Sequence, residues 1–259
     1  MDVCVLGSGS KGNCIAVSGG GTTVLVDFGL STRQILLRMR EAGLDPAALG
    51  GILFTHDHID HFLGIDVFAR KCDVPLFANE GTADGIEHRY PAVPFSWTIF
   101  ETSCSLSIGG LGIDTFPVSH DASDPVGFVF HEGNSHLFVA TDLGCVTAPV
   151  RRHLDGCQTA VLESNHDYEM LMKSDRTYML KQRIAGRSGH LSNDDAAELI
   201  RDAAPETLRR LLLAHLSEEC NTPHLAASTM CRALAAAGRE DIAVETLSQN
   251  AVSGRYAVL

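Results

Sequence analysis

The amino-acid sequence predicts an α/β fold, with sheets flanked by helices in one domain over residues 1–259. Three observations carry this. Short runs rich in Val, Ile and Phe alternate with stretches of helical spacing from end to end. The 259 residues are 45% hydrophobic and 20% charged, enough to build a sizeable core. No composition shift, low-complexity tract, repeat or long linker divides them.

The elements follow in order. Val3 to Leu6, Ile15 to Val17 and Thr22 to Val26 read as successive strands joined by Gly-rich turns. Ser31 is placed to cap a helix carrying Ile35, Leu36 and Met39, and Gly43 stops it. Gly51 to Thr55 is a strand, Phe62 to Lys71 a helix with a basic end, and Pro75 to Ala78 a strand. Several strands are expected between Trp97 and Ala140, with turns at Gly109-Gly110 and Gly133-Asn134. Thr159 to Glu163 is strand-like, Asp175 to Ile184 and Asn193 to Ala203 are helical, and Leu211 to Ala214 is a short buried strand. Thr222 to Ala237 reads as a helix with Thr222 as cap, Pro223 in the first turn and Gly238 as stop. Ile242 to Glu245 closes with a strand.

Charge and cysteines set limits. Twenty Lys plus Arg against 32 Asp plus Glu gives −12. A field of that sign excludes binding phosphate polymers through bulk charge, though not through a local basic site or bound cations. The eight Cys form no CxxC pair, so they are expected to be small buried hydrophobes rather than disulfides or a cysteine zinc site. With no basic leader and no long apolar run, the chain is expected to be cytoplasmic, with no membrane partner.

The chemistry concentrates in Thr55-His56-Asp57-His58-Ile59-Asp60-His61. It follows the apolar Ile52-Leu53-Phe54 and precedes a helix, so it belongs to a loop at a strand's carboxyl end, where α/β sheets place their sites. Imidazoles and a carboxylate suit zinc and other borderline divalent ions. Further donors must come from elsewhere. His120, Asp142 and His215 each end an apolar run. Singly, each reads equally well as a hydrogen-bonded core His or a capping Asp; together they share one topological position with the first cluster.

HDHIDH with the later His120, Asp142 and His215 resembles the signature of the metallo-β-lactamase superfamily over nearly the whole chain. The resemblance implies a four-layer αββα sandwich with two divalent ions, zinc or manganese, at one edge. It implies that His56, His58 and His120 hold the first ion, that Asp60, His61 and His215 hold the second, and that Asp142 bridges them. Asp60 stands where several lactam-cleaving members have Cys, as in the phosphodiesterase branches. A narrower resemblance rests on Gly7-Ser8-Gly9-Ser10-Lys11-Gly12-Asn13, Thr141-Asp142-Leu143-Gly144, Leu162 to Asp167, Gly189-His190-Leu191-Ser192-Asn193, and Ala214 to Ser217 with Asn221. These are similar to the WalJ/YycJ-type exonucleases, which resemble tRNase Z and the β-CASP nucleases but lack the β-CASP domain. Nothing between Asp142 and His190 is long enough to hold such an insertion. Lys11 departs from the more usual Ser-Ser opening.

The resemblance implies a metal-dependent phosphodiesterase, a 5′-to-3′ DNA exonuclease serving mismatch repair, that uses a hydroxide shared by the two ions. Asp60 and Asp142 would orient that nucleophile. His190, on a glycine-containing loop before a helix, would be a catalytic residue that is not a ligand, supplying the leaving oxygen's proton; its alternative is a helix-entry or surface His. Glu163 and His166 are candidates to orient His190 or a ligand. Lys173, Arg176, Lys181, Arg183 and Arg187, against Asp175 alone, read either as a groove for the backbone of DNA (or RNA) or as a solvated helix face. Ser8, Ser10, Asn13 and Arg187 are candidate substrate contacts. Two other readings stand beside this one: a small-molecule hydrolase of cyclic phosphodiesters, thiolesters or lactams, and a metal-bearing binding module. The sequence leaves the oligomeric state open.

Overall fold

A computed structural model describes residues 1–259. Six strands come first: β1 (Asp2–Gly7), β2 (Cys14–Gly19), β3 (Thr22–Val26), β4 (Leu49–Leu53), β5 (Leu76–Ala78) and β6 (Trp97–Ile99). The next seven, β7 (Ser105–Ile108), β8 (Leu111–Pro117), β9 (Val126–Glu132), β10 (Ser135–Ala140), β11 (Thr159–Glu163), β12 (Arg210–Ala214) and β13 (Ala243–Thr246), form a second sheet. The last, β14 (Arg255–Ala257), returns to the first sheet and pairs antiparallel with β1. The two seven-stranded sheets run β14-β1-β2-β3-β4-β5-β6 and β13-β12-β11-β10-β9-β8-β7.

Nine α-helices clothe them: α1 (Thr32–Glu41), α2 (Ile59–Phe62), α3 (Ile65–Ala69), α4 (Glu80–Arg89), α5 (Ala148–Leu154), α6 (Tyr168–Lys173), α7 (Tyr178–Ile184), α8 (Asn193–Ala203) and α9 (Pro223–Ala236). None is long and apolar enough to cross a membrane.

The period of two along each strand sorts side chains into layers. In β1, Val3 and Val5 enter the core between the sheets, while Cys4 and Leu6 face α1, α3 and α4. In β11 and β12, Val161 and Leu212 point into that same central core. Their neighbours Ala160, Leu162, Leu211 and Leu213 pack outward against α5, α8 and α9. Strands covered on both faces have no polar alternation to show, which is why they read as continuous apolar runs. The result is the expected αββα sandwich, and only α5, β11, α6 and α7 lie between Asp142 and His190.

Strand direction then places the site. The parallel pairing of β3 with β4, and of β10, β11 and β12 with one another, aligns their carboxyl ends. Ala140, Leu162 and Leu213 form one row. Asp142 and His215 therefore emerge two residues past that row, on either side of Glu163. Across the sandwich, Val26 pairs with Leu53, and His56 follows in the next loop. Val126 N–H donates to the Thr55 carbonyl at 3.0 Å and ties the two rims together.

Some elements differ from expectation. The helix expected over Phe62 to Lys71 is two short helices, α2 and α3. At Gly64 a Cβ would stand 2.2 Å from the Leu30 carbonyl oxygen, so the chain packs too closely there for one continuous helix with a side chain. The helix expected from Asp175 starts at Tyr178, because the Thr177 side chain caps it by accepting from Leu180 N–H. The small-residue helix α4, the short α5 and α6, and the three-residue edge strand β14 carry too little periodic signal to be read beforehand.

Candidate metal centre

The turn after β4 is held from beneath by the backbone. Asn13 N–H donates to the Asp60 carbonyl at 2.8 Å and Phe28 N–H to the His61 carbonyl at 2.6 Å. A Cβ on Gly29 would lie 1.6 Å from the Asp60 carbonyl oxygen, so only glycine lets the two segments approach. Asp27, Asp142 and His215 all have positive φ, at 62°, 58° and 55°. Such backbone is uncommon outside glycine, and here it turns three side chains at the strand ends toward one space.

Donor atoms from distant parts of the chain converge there. One atom each from His56, His58 and His120 lies within 4.8 Å of the others, and the same holds for Asp60, His61 and His215 and for His56, His61 and Asp142. His58 Nδ1 and His120 Nε2 stand 3.2 Å apart, and His61 Nε2 lies 3.3 Å from Asp142 Oδ2. Asp57 is turned away; its Oδ1 accepts from Ser123 N–H at 2.9 Å and holds the loop that follows His120.

Four imidazoles are fixed by the nitrogen facing away from this space. His61 Nδ1 lies 2.8 Å from Asp27 Oδ2, His120 Nδ1 2.9 Å from the Gly189 carbonyl, and His215 Nδ1 2.8 Å from Glu163 Oε1. These partners only accept, so Nδ1 carries a proton and Nε2 is the nitrogen turned toward the shared space. His56 Nδ1 lies 2.9 Å from Thr55 Oγ1, whose own proton goes to the Asp27 carboxylate. The outcome is the same: an Nε2 ready to coordinate. His56 Nε2, Asp142 Oδ2 and His215 Nε2 are buried and bond nothing in the protein. Buried polar atoms without partners are rare, and three aimed into one space fit a bound cation. The cluster is capable of holding metal.

Its electrostatics agree. Burial opposes charge on His61, yet Asp142, Asp27 and Asp60 outweigh it and push the imidazole well above its usual range. Burial likewise opposes charge on His215, where Asp142, Asp60 and Glu163 raise it. Burial holds His56 well below its usual range, with His61 adding to the effect. The carboxylates thus draw positive charge into the cluster, as protons if not as metal.

Behind the donors, Glu163 is fully buried and fully bonded. Its Oε1 faces both His215 Nδ1 and His190 Nδ1 at 2.8 Å, and its Oε2 accepts from Leu143 N–H at 2.6 Å and Leu191 N–H at 3.2 Å. Burial would raise its pKa, but His190, ahead of His215, brings it down to about 2. His190 rises in turn: burial opposes its charge and Glu163 overcomes that. Its ring lines the cavity mouth beside His215, with centroids 5.2 Å apart. Ser164, Asn165, Asn193 and Asn221 form a buried network beneath this loop, in which Asn165 Nδ2 donates to the His215 carbonyl at 2.8 Å.

A cavity of about 240 Å³ opens onto the cluster, lined by His58, Asp60, Asp142, His190 and His215 together with Ser10, Arg176 and Arg183. The other sequence candidates divide. Ser10 lines the cavity, but Ser8 is buried and its hydroxyl accepts from His215 N–H at 2.7 Å, so it braces the loop and does not face substrate. Asn13 points Nδ2 at His61 Nε2, 3.1 Å away, inside the cluster. Arg187 lines a separate cavity with Arg151, Asp195 and Glu198. The arginines at the candidate site are instead Arg176 and Arg183. His166 is buried beside the cluster with Nδ1 unpartnered and bonds neither His190 nor a donor.

Asp27 was missed from sequence. It accepts from Thr55 N–H, Thr55 Oγ1 and His61, and so orients two donors at once. It follows an apolar strand just as Asp142 does, and that shared pattern was the signal.

Comparison with known proteins adds four findings. Residues 22–216 match the model of the Beta-lactamase superfamily domain. The chain is 37% identical over 231 residues to "Exodeoxyribonuclease YycJ" of Bacillus anthracis, covering 89% of this chain and 88% of that one. It is 36% identical to "Exodeoxyribonuclease WalJ" of Streptococcus pneumoniae, covering 90% and 88%. The metallo-beta-lactamase fold protein YhfI from Bacillus subtilis superposes with a TM-score of 0.72 at 15% identity over 97% of this chain and 98% of its own, a likeness of fold.

Proposed function

The chain belongs to the metallo-β-lactamase superfamily, in its WalJ/YycJ branch, and from that premise we propose that it is a metal-dependent exonuclease that removes nucleotides from DNA in the 5′-to-3′ direction. The observation that carries the reading is the joining of the donor cluster to a Glu163–His190 pair and two arginines around one cavity.

In this reading His56, His58 and His120 would hold one divalent ion, Asp60, His61 and His215 would hold a second, and Asp142 would contribute to both. Such ions supply a water acidified enough to attack at neutral pH and positive charge for the developing phosphorane. Zinc suits the imidazoles and manganese the carboxylates.

The protein's own groups do the rest. Asp60, partly exposed at the cavity floor, orients the attacking water. His190, kept protonated by Glu163, donates to the leaving oxygen. Arg176 and Arg183, whose terminal amino groups are left free by their pairs with Glu219 and Asp121, position the phosphate backbone. The test is digestion of duplex DNA blocked at either the 5′ or the 3′ end, with zinc or manganese. Release of nucleotides from the open 5′ end is expected. Absence of release under either metal overturns the proposal.

A further inference from the structure

Between Glu163 and His190 the chain leaves the sandwich to form α6 and α7. Leu171 and Ile184 of this arm pack with Cys220, from the loop after β12, in a small core separate from the three main layers. It overhangs the cavity: Arg176, Leu180, Arg183 and Ile184 all line it. Its tip carries an unusual pair. Tyr178 is 73% exposed and Met179 83% exposed, and Leu180 follows them at 37%.

Single exposed apolar residues are ordinary on protein surfaces. Three in succession are not the composition of a solvated helix face; Leu180 lines the cavity, while Tyr178 and Met179 lie between it and Arg176, just outside the lining. Helical spacing says where they stand. Met179 and Arg183 are four residues apart on one face of α7, and so are Leu180 and Ile184. Met179 therefore rises one turn above an arginine that lines the cavity. Arg183 and Arg176 each spend Nε on an ion pair, with Asp121 at 2.5 Å and Glu219 at 3.0 Å, and no hydrogen bond engages their terminal amino groups. The surface thus sets an apolar, partly aromatic ledge beside two ion-paired guanidinium groups whose terminal amino groups remain free to donate. A flat apolar face with a negative charge at fixed distance is the chemistry of a nucleotide unit.

We infer that the tip of α7 is a stacking ledge for unpaired bases next to the scissile phosphate, with Tyr178 and Met179 against the bases and Arg176 and Arg183 on the backbone. This rests on the nuclease reading and narrows it: the strand must be unpaired at the end being degraded, because a base inside a duplex offers no free face. The ledge makes the enzyme prefer frayed or single-stranded ends.

The test measures KM and kcat on single strands that carry an abasic site at each of the first few positions from the cleaved end. With the unaltered protein, at least one abasic position raises KM about fivefold or more, as expected for loss of one stacked base. In Tyr178→Ala/Met179→Ala, KM on the intact strand rises to a similar extent and the abasic penalty disappears, whereas Tyr178→Phe restores it. Both side chains are exposed, so the fold tolerates the changes. An abasic penalty that persists in the double variant overturns the inference while leaving the nuclease reading intact. So does a dimer that the double variant dissociates with KM unchanged, since the ledge would then serve a second copy of the chain. If the unaltered protein cuts no strand of any kind but hydrolyses a small chromogenic phosphodiester, both readings fall.

Discussion

Glu163 Oε1 lies 2.8 Å from His190 Nδ1. The carboxylate is wholly buried and its second oxygen is spent on two backbone N–H groups, so it cannot turn away. The imidazole it holds is fixed in orientation and biased toward the protonated form. A general acid beside a phosphodiester needs both properties.

A pH profile follows from this pair. His190 has a raised pKa, so its protonated form persists above the usual histidine range and is lost as pH rises through the raised value. Cleavage that depends on proton donation falls along that alkaline limb. Glu163→Gln removes the charge that raises His190, so the limb should move to lower pH. An unmoved limb in kcat/KM would exclude His190 as the acid.

His190→Ala should lower kcat on DNA by about 10²–10⁴-fold, the usual contribution of general acid catalysis. Metal content, measured by elemental analysis, should not change. On a p-nitrophenyl phosphodiester, whose leaving group needs no proton, the loss should be much smaller. Equal losses on both substrates would argue for a structural role.

Asp27→Asn should weaken metal binding about 10–100-fold, because it removes the charge that orients His61. It should also cost about 1–3 kcal/mol of stability, since an amide cannot accept from all the donors the carboxylate serves. Metal titration and urea unfolding measure the two effects separately.

Metal binding should release protons. His61 and His215 hold theirs above the usual range in the protein alone. A cation must displace them, so apparent affinity should increase with pH by about tenfold per unit for each proton displaced. Calorimetry in buffers of different ionisation enthalpy counts those protons; a count of zero would show that neither nitrogen coordinates.

Gly29→Ala should be among the most damaging single methyl additions in the chain. Its Cβ would overlap the Asp60 carbonyl oxygen at 1.6 Å, and the cost is expected to be about 3 kcal/mol or more. Gly21→Ala is the control: nothing lies within 4 Å, and only its φ of 78° penalises a side chain, by about 1 kcal/mol. Thermal melts of the two variants, with bound metal quantified, make the comparison.

Much of this was legible before the fold was known. Residues 56–61 announce themselves because donors crowd one turn, and His120, Asp142 and His215 because a polar residue at the end of an apolar run needs a reason. Asp27 meets that same criterion, but one Asp after a strand also serves as an ordinary cap. Its role depends on a positive φ and on a partner 34 residues away, and neither is visible in one dimension. The arginines show the other limit. Which cations of the 173–187 segment face the cavity depends on where α7 starts and stops: Arg183 lies within it, Arg176 precedes its Thr177 cap and Arg187 follows its end. Sequence could therefore name the basic segment but not choose Arg183 over Arg187.

The donors come from both halves of the polypeptide, residues 56 to 61 on one sheet and residues 120 to 215 on the other. No fragment ending before β12 owns a complete set. Such a fragment still lacks His215, so the full constellation awaits β12 and the closing of the two sheets on each other.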